Sequence, residues 1–139
     1  MRTSRTAAIV GALGLALSLT ATPASASSVL SARCSKGNFK LAAAITYGNP
    51  GNQHIFTKLT WNIVGDVGSN NDVYFEFWKK GSGRDSLLKV FKMNDVSKSG
   101  SKNIFLRRPK GDAIYVHGGT VFDTKYATDP VCKYFTRTI

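Results

Sequence analysis

Residues 39–64 have the sequence FKLAAAITYGNPGNQHIFTKLTWNIV. In the first half, alternate positions from Phe39 to Tyr47 are apolar, which is typical of a β-strand with one buried face. The alternation resumes in residues 53–64, where one face would collect Ile55, Thr57, Leu59, Trp61 and Ile63. Between the two runs, the glycines, asparagines and proline of residues 48–52 favour a turn. This segment therefore predicts two strands joined by a turn.

Farther along the chain, short runs rich in β-branched and aromatic residues are separated by turn-forming segments. Residues 73–80, VYFEFWKK, carry aromatic side chains on both faces, which is typical of an interior strand. Further strands are predicted at residues 86–93, 102–108, 113–122 and 131–138, with a polar loop at residues 94–101 and a bulge at Gly118–Gly119. The spacing of about ten residues predicts seven to eight antiparallel strands. The expected fold class is all-β, a single small β-sandwich or a partly open barrel.

The first 26 residues have the three parts of a secretory signal peptide. Arg2 and Arg5 supply positive charge, and residues 7–19 form an uncharged apolar run that is too short to span a bilayer. Ala24-Ser25-Ala26 then provides the small residues of a cleavage site. The alternative is an uncleaved N-terminal anchor. We expect cleavage after Ala26, leaving residues 27–139 as one secreted, extracellular domain with no transmembrane segment.

Two cysteines, Cys34 and Cys132, lie near opposite ends of this domain. In an oxidising compartment they permit one intramolecular disulfide, which would bring the two ends of the domain together. The alternative is a pair of free thiols. Two cysteines and two distant histidines, His54 and His117, offer too few ligands for a zinc site. We therefore expect a disulfide-closed domain that needs neither a metal nor a cofactor.

Charge is the most informative feature of the sequence. Without Arg2 and Arg5, the 19 Lys and Arg residues fall to 17 against 8 Asp and Glu, a net charge of +9 for residues 27–139. Residues 79–110 hold +8 of this charge, because only Asp85 and Asp95 oppose their ten cations. The ten cations are Lys79, Lys80, Arg84, Lys89, Lys92, Lys98, Lys102, Arg107, Arg108 and Lys110.

These ten residues, called here the basic cluster, would gather on one hairpin if residues 86–93 paired with residues 102–108. Such a surface attracts anionic partners, which include wall polymers, lipid headgroups, nucleic acid and acidic proteins. The alternative is that the cations keep the protein soluble and prevent an edge strand from pairing with other chains. The sequence does not choose between these two interpretations.

Aromatic residues neighbour the basic cluster, namely Phe77, Trp78, Phe91 and Phe105. Bases or sugar rings stack on exposed aromatic side chains. A domain of this size also needs large apolar side chains inside, so we expect these four residues mainly in the core. Trp78 is the candidate for exposure, because it shares strand parity with Glu76 and Lys80.

One set of residues permits acid–base chemistry, with Glu76 and His117 as the titratable pair. Together with the arginines of the basic cluster, this set resembles that of small secreted microbial ribonucleases. Residues 74–77, YFEF, are similar to their glutamate flanked by aromatics. The resemblance implies hydrolysis of RNA. The chain departs from that family because no helix pattern precedes its strands, and because its histidine lies in the context Tyr115–Gly119 instead of an Asp-His-Tyr-like one.

The favoured interpretation is a non-catalytic secreted binding module with no catalytic residues. It would act on an extracellular protein partner as an adaptor, a subunit or an inhibitor. The first alternative is a module that binds an anionic surface polymer or nucleic acid through the basic cluster. A small secreted ribonuclease is the less favoured alternative.

Overall fold

A computed structural model of the chain describes residues 26–139. Within this range the chain forms eight β-strands and no helix, which confirms the all-β prediction. The strands are β1 (Ser27–Lys36), β2 (Phe39–Gly48), β3 (Gln53–Val64), β4 (Asn71–Lys79), β5 (Ser86–Val96), β6 (Ser99–Pro109), β7 (Ile114–Val121) and β8 (Val131–Phe135). The predicted signal peptide lies outside the described residues, except for Ala26.

The strands form two four-stranded antiparallel sheets that pack face to face as a β-sandwich. Sheet A has the strand order β1-β2-β3-β6, and sheet B has the order β5-β4-β7-β8. Edge strands β1 and β8 contact each other on one side of the sandwich, so edge strands β6 and β5 lie on the other, open side. Strand β1 adds an eighth strand to the seven segments located from the sequence. Among residues 26–139 there is no helix capable of crossing a membrane.

The core lies between the sheets and consists of alternate residues of the strands. Strand β2 buries Leu41, Ala43, Ile45 and Tyr47, as its alternation predicts. Strand β4 fully buries Asn71, Val73, Phe75 and Phe77, while the residues between them face outward. Burial of each large apolar side chain stabilises the fold by about 1.5–3 kcal/mol relative to exposure. The inward residues of the interior strands β2, β3, β4 and β7 therefore supply much of the stability of the sandwich.

The buried face predicted for β3 is wrong for the first half of this strand. Thr57 is an extra residue, because Lys58 pairs with Thr46 while Phe56 pairs with the next residue of β2. Such a bulge reverses the faces to which the side chains before it point. His54 and Phe56 are consequently buried in place of the predicted Ile55 and Thr57. After the bulge, the predicted face is buried as expected, with Leu59, Trp61 and Ile63.

The predicted bulge at Gly118–Gly119 is also wrong, since β7 pairs with β4 without a register shift through both residues. These glycines serve a different purpose. A Cβ atom on Gly118 would collide with the Tyr134 side chain, and one on Gly119 would collide with the Cys132 carbonyl group. Glycine is needed because the neighbouring strand β8 approaches the backbone of β7 too closely for a side chain.

The β5 and β6 strands do not form the predicted hairpin, because β5 pairs with β4 in sheet B and β6 pairs with β3 in sheet A. The predicted loop at residues 94–101 shrinks to Ser97 and Lys98, where the chain crosses between the sheets. Two hydrogen bonds hold this crossing to β3: Trp61 Nε1 donates to the Ser97 carbonyl at 3.1 Å, and the Ile63 N–H donates to the Lys98 carbonyl at 2.6 Å.

The predicted disulfide is confirmed. It joins Cys34 on β1 to Cys132 on β8, which are 98 positions apart in sequence and 5.7 Å apart between their Cα atoms. The bond therefore links sheet A to sheet B along the side where β1 meets β8, while on the other side only the chain crossing at Ser97 and Lys98 connects β5 to β6.

Candidate functional site

The outer face of sheet B carries a concentration of aromatic side chains, which we call the aromatic face. Strand register places them side by side: His117 of β7 lies between Glu76 of β4 and Phe135 of β8, and Tyr115 of β7 lies beside Trp78 of β4. All of these residues alternate with buried ones, so they point away from the core. The aromatic face consists of Tyr74, Glu76, Trp78, Tyr115, His117 and Phe135.

Glu76 is the polar centre of the aromatic face. Its Oε2 atom accepts a hydrogen bond from Trp78 Nε1 at 3.2 Å and lies 2.9 Å from His117 Nδ1. The His117 ring also stacks on the Phe135 ring, with their centroids 4.5 Å apart. These contacts hold three side chains in fixed positions on an otherwise flat sheet.

A second set of contacts attaches the loop between β4 and β5 to this face. The Tyr115 hydroxyl donates to Asp85 Oδ2 at 2.8 Å, and Asp85 Oδ1 accepts from the Gly81 N–H at 3.1 Å. The two hydrogen bonds, that from Gly81 first, lower the pKa of Asp85 below its usual value. Partial burial, followed by the bond to Asp85, raises the pKa of Tyr115. The loop is therefore tied to the edge of the aromatic face through an ionised carboxylate.

Exposed aliphatic side chains border the aromatic face on both sides. Leu87 and Val90 of β5 pair with Trp78 and Glu76 of β4. Val131 lies on the outer side of β8. Eight large hydrophobic residues are exposed among residues 26–139, and four of them lie on this one face: Leu87, Val90, Val131 and Phe135. An exposed apolar surface of this kind marks an interaction site more often than scattered exposed residues do.

Trp78 is partly exposed, as its strand parity suggested, while Phe77 is fully buried in the core. The expectation that Phe105 lies in the core is wrong, because its side chain is 68% exposed. Its neighbours Ile104 and Leu106 take the inward positions of β6, so Phe105 faces outward from sheet A. The alternation of side-chain direction along β6 therefore places Phe105 on the surface.

The basic cluster is not gathered on one hairpin surface. Lys79 and Arg108 both bind the buried carboxylate of Asp112, with Nζ and Nη2 each 2.6 Å from one of its oxygens. Lys98 donates from Nζ to the Gly65 carbonyl at 3.1 Å, near the crossing from β5 to β6. These three cations therefore have structural partners, which the sequence did not reveal.

The remaining cations of the cluster lie in three places. Lys92 pairs with Tyr74 and therefore borders the aromatic face. Lys89 pairs with Phe77, and Lys102 pairs with Leu59, so both point toward the open side between the two sheets. The last four lie toward one end of the sandwich: Lys80, Arg84, Arg107 and Lys110. That the cluster binds an anionic partner stays a prediction.

The structure brings Glu76 and His117 together, but it places Arg107 and Arg108 of the ribonuclease-like set in the other sheet. Arg107 and Arg108 belong to β6 in sheet A, whereas Glu76 and His117 lie on the outer face of sheet B. Arg108 is also bound to Asp112. The third arginine of the set, Arg84, lies on the β4–β5 loop beside Asp85, which bonds Tyr115 on the same face as Glu76 and His117. Hydrolysis of RNA stays a prediction.

His54, the second histidine, is buried at the start of β3, and its Nδ1 lies 2.6 Å from the Asn49 side-chain oxygen. Burial and then the charge of Lys110 lower the pKa of His54, although Asp112 acts in the opposite sense. Within residues 26–139 no group of three or more His, Cys, Asp or Glu residues is placed to hold a metal ion.

Sequence reasoning singled out Trp78, Glu76 and His117, but it missed Tyr74, Tyr115 and Phe135 as parts of one face. The sequence offered one indication of their position, because each of these residues alternates along its strand with residues of the predicted core and should therefore point outward. Only strand order could show that β4, β7 and β8 are neighbours. A comparison of the chain with protein-family models, with curated proteins and with solved structures finds no match.

Proposed function

We propose that this protein is a non-catalytic extracellular binding module that docks a protein partner through the aromatic face. The observation that carries the proposal is the concentration of exposed apolar side chains on this one face. Half of the exposed large hydrophobic residues of the described chain lie there, around partly exposed tyrosine and tryptophan rings. Aromatic residues are enriched at the centres of protein interfaces, and tryptophan and tyrosine are enriched among binding hot spots.

The aliphatic border favours a protein as the occupant. Leu87, Val90 and Val131 are branched apolar side chains without a flat ring, so they offer nothing on which a sugar or a base could stack. Apolar side chains of another protein fill the spaces between such groups and exclude water from them. The pattern of aromatic centre and aliphatic border is therefore the complement of an apolar protein surface.

The charges around the face suggest the character of that surface. Lys92 of β5 and Lys133 of β8 both lie on the outer side of sheet B, on either side of Tyr74 and Gly119. Both lysines are exposed, while the carboxylate of Glu76 at the centre is already bonded to Trp78 and His117. A partner with acidic groups around an apolar centre would match this arrangement in charge.

The extracellular part of the proposal rests on two features. The segment from Arg2 to Ala26 has the composition of a cleavable export signal. The Cys34–Cys132 disulfide is of the kind that persists in oxidising environments outside the cytosol. A non-catalytic role is proposed because Glu76 and His117 are joined in a contact that has no arginine of the basic cluster beside it in strand register.

A matched pair of phenylalanines permits a direct test. Phe135 on the aromatic face and Phe105 on sheet A are both 68% exposed. The immobilised wild-type protein, Phe135→Ala and Phe105→Ala are each exposed to the culture supernatant of the producing organism, and captured proteins are quantified by mass spectrometry. We expect one protein that wild type and Phe105→Ala retain and that Phe135→Ala loses.

The affinity of that protein is then measured by calorimetry with all three variants. Truncation of a central hot-spot residue costs about 2 kcal/mol or more, so Phe135→Ala should weaken binding by at least tenfold. Phe105→Ala should bind like wild type. A set of captured proteins that is the same for both variants would contradict the proposal.

A further inference from the structure

A second surface lies at one end of the sandwich, where the ends of several chain segments converge. The C-terminal residue Ile139 exchanges two backbone hydrogen bonds with Ile114 at the start of β7, each 2.9 Å long. The Lys110 N–H, in the turn after β6, donates to the Asn52 carbonyl in the turn after β2. The end of β4 joins the same region, because Lys79 pairs with Ile114.

Cations collect on these segments, and we call the region the basic end. It contains seven cations: Lys79, Lys80, Arg84, Arg107, Arg108, Lys110 and Arg137. Two side-chain carboxylates oppose them, those of Asp85 and Asp112. Arg137 was not part of the basic cluster, because it is distant in sequence and reaches this end only through the pairing of the C-terminal segment with β7.

The Asp112 carboxylate forms ion pairs with two of the seven cations, Lys79 and Arg108. The other five are exposed and, within residues 26–139, none of them joins an ion pair. They are carried by the β4–β5 loop, β6, the β6–β7 turn and the C-terminal segment. An anion at this end would therefore meet positive charge from several directions.

The opposite end of the sandwich shows that this arrangement is not a general property of the surface. Five cations lie there, Arg33, Lys36, Lys40, Lys98 and Lys125. Five carboxylates accompany them, Asp66, Asp72, Asp95, Asp123 and Asp129. The net charge of the described chain is therefore unevenly distributed along the sandwich. Solubility requires a net charge but does not require it to be concentrated at one end.

We infer that the basic end binds a linear polyanion bearing phosphate groups, and that it does so through charge alone. Three of its free cations are arginines, whose planar guanidinium groups match the geometry of phosphate oxygens. Free cations on several segments suit a chain with repeated charges better than a single small anion. This surface consists of other residues than the aromatic face, although the β4–β5 loop borders both. Together the two surfaces would allow one protein to connect a protein partner to an anionic polymer.

The test compares two triple variants with identical net charge. Lys80, Arg84 and Lys110 are changed to Glu in the first, and Arg33, Lys36 and Lys40 at the opposite end are changed to Glu in the second. Lys79 and Arg108 are left in place because they hold Asp112. Circular dichroism and thermal melting confirm that both variants fold, and each is eluted from phosphocellulose with a salt gradient.

We expect the basic-end variant to elute at lower salt than the opposite-end variant. In solution, its affinity for inorganic polyphosphate should fall by at least tenfold, and its affinity should depend less steeply on salt because fewer counterions are released. Phe135→Ala should bind polyphosphate like wild type, whatever the outcome for the protein partner. Co-elution of the two triple variants would overturn the inference.

A competition experiment tests the statement that charge alone is recognised. Polyphosphate and single-stranded DNA with the same number of phosphates should displace a labelled polyphosphate at similar concentrations. Displacement by DNA at a tenfold lower concentration would overturn the inference in favour of a site that stacks bases.

Discussion

Asp112 joins the two sheets at the basic end. Its carboxylate is only 9% exposed and binds Lys79, at the end of β4 in sheet B, and Arg108, near the end of β6 in sheet A. The hydrogen bond from Lys79, followed by those from Arg108, lowers the pKa of Asp112, although burial acts in the opposite direction. The ionised carboxylate is thus the form that the folded protein stabilises.

Replacing Asp112 with Asn should destabilise the protein by about 1–3 kcal/mol at pH 7, because two cations would lose their charged acceptor. Since the folded pKa is lower than the unfolded value of about 4, this stabilisation is complete above pH 4. It is lost as the pH falls through the folded pKa. Urea unfolding of both proteins between pH 7 and pH 2 should therefore show a difference that disappears in acid.

Asp66→Asn is the matched control. Asp66 pairs with Lys125 at 3.5 Å on the surface, where both side chains are exposed. An exposed pair of this kind contributes roughly 0–1 kcal/mol. A loss of stability for Asp66→Asn as large as that for Asp112→Asn would show that burial of the carboxylate is unimportant.

At the level of the strands, local alternation predicted the interior strands well. Deviations from regular strand pairing could not be predicted from the sequence. The alternation in β2 was sufficient to locate its inward residues, and the double-sided pattern of β4 was sufficient to identify it as an interior strand. The extra residue Thr57 in β3 was not predictable, because a bulge depends on how neighbouring strands pair.

The separation of β5 from β6 depended on contacts that are distant in sequence. Trp61 and Ile63 hold the crossing at Ser97 and Lys98, so that two successive strands enter different sheets. The same separation scattered the basic cluster, since cations adjacent in sequence reached different surfaces. The aromatic face was hidden for a related reason, because parity showed which residues point outward but not which strands are neighbours.

The edge strands β5 and β6 each carry a lysine that points toward the open side of the sandwich. Lys89 pairs with the buried Phe77, and Lys102 pairs with the buried Leu59, yet both lysines remain exposed. Inward-pointing charges on edge strands prevent pairing with strands of other molecules. The position of these two lysines suits the protective role of the alternative interpretation, which stays a prediction.

Changing both Lys89 and Lys102 to Val should therefore increase self-association, because it removes the charges and raises the β-propensity of two unpaired edges. Sedimentation velocity at increasing concentration measures the effect. The control changes Lys40 and Lys58 to Val, since these lysines lie on interior strands of sheet A. Equal self-association of the two double variants would indicate that loss of charge matters and that its position does not.

At the scale of the whole molecule, a disulfide closes one side of the sandwich, while the side between the edge strands β5 and β6 is open. The Cys34–Cys132 bond closes the side where β1 meets β8, and its two cysteines are 98 positions apart in sequence. In the chain-entropy model, a cross-link around a loop of about 100 residues destabilises the unfolded chain by roughly 4–5 kcal/mol. The disulfide is therefore expected to be a large part of the stability of so small a domain.

Replacing both cysteines with Ala should lower the free energy of unfolding by about 2–5 kcal/mol, measured in guanidinium at pH 7. Wild-type protein unfolded under reducing conditions is the control and should match the double variant, because both lack the cross-link and retain the same strands. Since β8 also carries Phe135, partial loss of this strand would weaken binding at the aromatic face before the rest of the sandwich unfolds. A double variant as stable as oxidised wild type would show that packing between β1 and β8 is sufficient, and that the disulfide contributes nothing to the stability of the fold.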